Sequence, residues 1–216
     1  MEPYVRPDIP TREFRDTDGG VIPYGQRWGM DSPPDDTYSV LTHPERFQPL
    51  HEVARALIAY LESAYDVTVS EDPAHRVDLF EGYVTATAAV RIAPTNSGAA
   101  PITLAFTSHP GLVLVAGALY VEPLPVCGCD ACDETWETVA DDLEWRVRAV
   151  VEGGFTERLT RGLRARVDHT LHRADGSRAS GGGTPVDVPR ERLKAARALL
   201  RPLDGGRWAA WSPREA

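Results

Sequence analysis

The residues best placed to do chemistry are three cysteines packed into six positions, Cys127-Gly128-Cys129-Asp130-Ala131-Cys132, and the chain has no others. A C-x-C-x-x-C run gathers three soft sulfur ligands at little cost in loop-closure entropy. Zinc prefers four ligands in a tetrahedron, and three are supplied here. Asp130, Asp133 and Glu134 raise the pKa of neighbouring thiols, and a bound divalent cation offsets that effect. An odd, closely spaced set in a reducing compartment points to metal or catalysis rather than to a disulfide framework. The same run permits thiol redox chemistry. Cys129-Asp130-Ala131-Cys132 precedes a helical pattern whose first amides stabilise a thiolate, and Cys127 could resolve it. Local acids oppose that reading, and no thioredoxin-like strand-helix-strand pattern precedes the motif. The remaining alternatives are an open, catalytic metal position and three ordinary residues on a turn.

A fourth ligand depends on how the surrounding elements run. Thr42 and Glu45 have the capping-box form, and Leu50, Val53, Ala54, Leu57, Ile58, Leu61 and Ala64 follow at helical spacing. Period-two segments come next: a short strand at Val67–Val69, then Leu79 to Ile92 with Phe80, Val84, Ala86, Ala88, Val90 and Ile92 on one face. Ile102, Leu104 and Phe106 repeat the alternation, and His109-Pro110-Gly111 turns the chain into the apolar run Leu112 to Val121, read as one strand. After the cysteines, Trp136, Val139, Ala140, Leu143, Val147, Val150 and Val151 share a helical face that Gly153-Gly154 ends. Leu163 to His172 alternates as a further strand, Ser180-Gly181-Gly182-Gly183 has the composition of a mobile linker, and a short helix is expected at Arg190 to Leu200. If consecutive strands form a meander, Leu112 to Val121 carries the chain about 30 Å away from His109 before the cysteines. That disfavours His109. The strand ending at His172 returns toward them, so His172 is the expected fourth metal ligand, with Asp130, Asp133 or water as alternatives.

Other groups have simpler roles. His43-Pro44-Glu45-Arg46-Phe47 could bind an anion at a helix start, although capping and surface pairing explain it. His169 reads as a core histidine and His75 as a solvated one. Trp145 lies about 180° around its helix from Trp136, so it needs cover from the N-terminal arm or C-terminal tail, or a partner protein at the acidic helix face. No serine-histidine-acid arrangement, phosphate-binding glycine loop or dinucleotide fingerprint is visible.

These elements describe an α+β fold, an antiparallel sheet of about four to six strands with helices packed on one face. Prolines at 3, 7, 10, 23, 33 and 34 make residues 1–41 an extended arm packed on the domain. Residues 42–176 form the core with the cysteine motif, and 177–216 a Gly-rich loop, short helix and Trp-containing tail. The formal charge of −9 disfavours nucleic acid and anionic membrane surfaces. The longest apolar run is far short of the roughly 20 residues of a membrane helix. A start without a basic region and apolar run leads us to expect a cytoplasmic protein.

Three stretches, Tyr24-Gly-Gln-Arg-Trp-Gly29, Thr42-His-Pro-Glu-Arg-Phe47 and Cys127-Gly-Cys-Asp-Ala-Cys-Asp-Glu134, resemble an uncharacterised bacterial domain-of-unknown-function family over residues 20–175. The resemblance implies one folded unit and carries no activity. The functional expectation is a zinc-stabilised binding or regulatory protein without enzymatic activity. A thiol oxidoreductase or metal-dependent hydrolase is the enzymatic alternative, and an acidic immunity-type protein has only net charge in its favour.

Overall fold

A computed structural model describes residues 3–72, 75, 85–160, 165–185 and 188–215. Helix α1, Pro49–Ala64, buries the seven residues expected from its spacing. Strands β1 (Val67–Glu71), β2 (Ala86–Pro94), β3 (Ile102–Thr107), β4 (Leu112–Ala116) and β5 (Tyr120–Leu124) form an antiparallel meander in sequence order. Helix α2, Trp136–Val151, packs with α1 over one face of this sheet around Leu57, Ile92, Leu104, Leu114 and Leu143. The chain is thus α+β, with antiparallel sheets and packed helices. The other sheet face carries a smaller cluster of Ala89, Ala105 and Val113. The expected strand start at 79–84 lies outside the described residues. No helix among them is long and apolar enough to cross a membrane.

Three features depart from the expected single sheet. First, Leu112 to Val121 is two strands. The chain reverses at 117–119, where Gly117 adopts φ +62° and a Cβ would lie 2.6 Å from Glu157 Oε2. An L side chain is therefore excluded on both backbone and steric grounds. The turn amides Ala118 N and Leu119 N donate to Glu157 at 2.8 and 2.6 Å. Burial pushes the Glu157 carboxyl up, and these amides act against that shift.

Second, β6 (Phe155–Leu159), β7 (Val167–His172) and β8 (Arg178–Gly183) form a separate antiparallel sheet. Sequence pattern hides β6 because its inward position between Phe155 and Leu159 is Glu157, a fully buried acid. Residues 180–183 are not a linker but the outer part of β8. Their glycines permit a close approach, since a Cβ on Gly182 would lie 2.3 Å from Asp168 Oδ1.

Third, the C-terminal segment stitches the layers together. Trp208 N donates to Phe155 O, Ala209 N to Gly98 O and Trp211 N to Val151 O. The buried Trp211 indole donates to Ala100 O at 2.9 Å. Helix α3, Arg190–Leu200, precedes it and buries Ala196.

The N-terminal segment also packs on the domain. Tyr4 stacks against Tyr60, and Arg6 bridges Glu144 and Asp141 on the acidic face of α2. Trp145 is partly buried against the core, and its indole donates to Ser177 Oγ, at the β7–β8 turn, at 2.8 Å.

Glu157→Ala would strand two buried turn amides. It should destabilise the protein by about 3 kcal/mol, seen as a lower urea midpoint at unchanged m-value.

Candidate metal centre

The cysteine loop connects β5 to α2 and is held from outside by the N-terminal segment. Ala131 N donates to Thr37 O and Asp130 N to Val40 O. The Trp28 indole donates to Ala131 O at 3.1 Å, and Arg27 N donates to Asp133 Oδ2 at 2.9 Å. Thr42 turns both its backbone N–H and its hydroxyl to the Asp130 carboxylate. The expected capping box does not form: the Thr42 backbone N–H, which the Glu45 side chain would accept in that box, donates instead to a carboxylate 3 % exposed. The chain instead makes a 3-10 turn, Pro44–Phe47, before α1.

Arg46 is the centre of this arrangement and is itself 3 % exposed. It donates to Gly128 O at 2.8 Å, His43 O at 3.3 Å and Glu134 O at 3.4 Å, and lies 3.6 Å from Asp130 Oδ1. Its guanidinium sits over the rings of Tyr24 and Phe47, 4.3 and 4.5 Å from their centroids. Arg27 approaches the other Asp130 oxygen at 3.7 Å and lies over Trp28. The three sequence stretches singled out above therefore meet around one buried carboxylate and two guanidinium groups. Sequence reading assigned Arg46 to helix capping and surface pairing. The available signal was the pair of arginines flanked by aromatics in two separate motifs, a pattern suited to cation–π burial.

On this loop Cys127 Sγ and Cys129 Sγ lie 3.2 Å apart, and Cys129 Sγ and Cys132 Sγ 3.5 Å apart. All three sulfurs fall within 4.8 Å of one another, and none is in a disulfide. A zinc ion about 2.3 Å from each thiolate separates tetrahedral sulfurs by about 3.8 Å, and the separations of 3.2 and 3.5 Å fall a few tenths of an ångström short of that. The thiols differ in acidity. Burial raises Cys129, but hydrogen bonds from Cys127 and from the backbone of Cys132 and Ser39 bring it down to about 7. Hydrogen bonding with Cys127, burial and Cys129 push Cys132 up to about 12.

Among the described residues, the histidine, cysteine and acidic groups close enough to share an ion are these three cysteines. His172, the expected fourth ligand, is at the end of β7 in the second sheet, beside Thr170 and Arg178 on a surface depression. Asp130 and Asp133 are engaged by Thr42 and Arg27 N. His109, set aside on the assumption of one long strand, lines the same cavity as Cys127 and Cys129. The reversal at Gly117 accounts for the place of His109, because β5 returns the chain to the end of the sheet where β3 turns into β4.

The other histidines have local partners. His43 meets Glu45 at 3.0 Å and Arg15 O at 2.9 Å, and packs on Phe14. His51 donates to Gly111 O. His169 stacks on Tyr120, and its pKa is lowered by burial and then by Arg146.

Asp130→Ala would leave Arg46 buried beside a lost charge. It should cost about 3–5 kcal/mol and make residues 16–41 cleavable in limited proteolysis before the core is cut.

No curated protein and no solved structure compared with the chain matches it. The family model described as "Family of unknown function (DUF6226)" covers residues 10–215, including all three stretches that meet at Asp130, and the chain belongs to that family.

Proposed function

We propose that Cys127, Cys129 and Cys132 hold one zinc ion, which fixes the loop joining the N-terminal segment to the core of a binding or regulatory protein. The observation that carries this reading is the gathering of three sulfurs within 4.8 Å on a loop clamped from both sides. Such a loop limits the entropy lost when the ion binds, because the ligands are already close. Zinc suits the site because thiolates are soft donors and a structural role needs no change of oxidation state.

Thiol chemistry is the second reading. Its support is the Cys129 thiol at about 7, together with the exposure of Cys127 and Cys132. The two readings differ in how a native thiol meets an alkylating agent. A metal-held thiolate reacts slowly until a chelator removes the ion, whereas a redox thiolate reacts at once.

Protein purified without tag, chelator or oxygen should contain one zinc per chain by inductively coupled plasma mass spectrometry, with thiols protected until chelation. Zinc-free protein with a fast-reacting thiol would sink the metal reading. Cys132→Ser should weaken zinc binding by more than the ~10–100-fold typical of losing an outer-shell partner. Uptake of zinc by chelated protein should release protons and strengthen as pH rises, since thiols must ionise to bind.

A further inference from the structure

The cysteine loop borders a cavity of about 450 Å³. Leu41, Leu112, Leu124 and Val126 supply much of its wall, Cys127 and Cys129 line it, and so does His109 from the β3–β4 turn. The volume is that of a small-molecule site. Val126 is 60 % exposed, so the apolar lining reaches solvent. The reversal at Gly117 places this lining beside the thiols, since it brings β5 back along β4 to the His109 end.

Three thiolates leave one tetrahedral position for a fourth donor. Among the described residues no nearby carboxylate lies close enough to all three sulfurs to share an ion with them, although Asp133 Oδ1 and Glu134 Oε2 are buried without a hydrogen-bond partner. Asp130 accepts from Thr42, Asp133 from Arg27 N, and Glu134 from the Cys127 backbone. The His109 ring makes no hydrogen bond among the described residues, although its carbonyl accepts from Thr107 Oγ1. A cysteine-held ion therefore has soft ligands on one side and, on the other, an apolar chamber with one imidazole at its wall. A water there would find few hydrogen-bond partners. A ligand with an apolar body loses little by leaving bulk water and gains contact with Leu41 and Leu124.

We propose that the fourth coordination position of the cysteine-held ion opens into this cavity, and that the cavity takes a small thiol-bearing molecule with an apolar body. The inference rests on the zinc reading and makes the centre a ligand-binding site. The thiol loses its proton to solvent and its sulfur enters the fourth position, displacing water, with no change in oxidation state. His109 faces the ligand and can donate to its sulfur or to a second polar group.

Cobalt(II) in place of zinc reports the fourth donor through its visible ligand-field bands. The full chain loaded with one cobalt is titrated with phenylmethanethiol and with 2-mercaptoethanol, and cobalt retention is checked by gel filtration. The bands should shift saturably with cobalt retained, and phenylmethanethiol, an alkyl thiol of similar acidity, should bind about tenfold or more tightly than 2-mercaptoethanol because its ring is buried. Val126→Asp at the exposed mouth should reduce that preference while leaving cobalt stoichiometry unchanged. Equal affinity for the two thiols, or no response to either, would overturn the proposal. A response that appears only in His109→Ala would also overturn it, by assigning the fourth position to His109. Failure to take up cobalt or zinc would instead refute the metal reading itself, and the ligand site with it.

Discussion

A carboxylate with 3 % of its surface in water has to be met by donors and cations, and those that meet Asp130 come from distant parts of the chain. Thr42 and Arg46 approach from the turn before α1, and Arg27 from the N-terminal segment. Removing the carboxylate would leave two guanidinium groups without their counter-charge in a low-dielectric setting. The position of the cysteine loop follows from this constraint. Gly128 is bonded by Arg46, Asp133 by Arg27 and Ala131 by the neighbouring Trp28, so the sulfurs inherit a geometry set by groups that carry no sulfur chemistry.

A second buried acid governs topology. Glu157 belongs to the smaller sheet, yet both carboxylate oxygens accept amides from the turn between β4 and β5 of the larger one. The reversal could not be made with a side chain at Gly117, and without it the cysteines would lie a strand length from His109. Asp130 and Glu157 thus divide the work. One positions the loop locally, and the other decides which end of the sheet the loop occupies.

Much of this architecture is legible in the order of residues. The apolar faces of α1 and α2 read directly because their periodicity survives intact, from Leu50 to Ala64 and from Val139 to Val151. Strands β1 to β3 read for the same reason. What was hidden depends on long-range compensation. Glu157 occupies an inward strand position that only partners on another sheet make tolerable, and β8 has the composition of a linker because its neighbours require side chains to be absent. An apolar run of ten residues shows no break at Gly117, since both arms of the reversal are buried. The cysteine cluster was evident from spacing alone, but its surroundings depended on that one turn, so the assumption of one long strand that set His109 aside does not hold. The clamp was divided among three motifs that sequence reading treated separately.

The tail around Trp208 and Trp211 has a consequence for the order of events during synthesis. Its amides close onto Gly98, Val151 and Phe155, and Trp211 fills space beside Tyr65. The two sheets and both long helices are therefore made well before the segment that seals them together. A nascent chain carries an unplugged seam until these indoles leave the ribosome, and final consolidation has to wait for contacts spanning more than a hundred residues, Trp211 to Ala100 among them. Such distant closure is slow compared with helix and hairpin formation, and partly sealed intermediates expose apolar surface meanwhile. The dependence on late-arriving tryptophans makes the vectorial growth of the chain, and any chaperone that shields the seam during it, part of how this fold is reached.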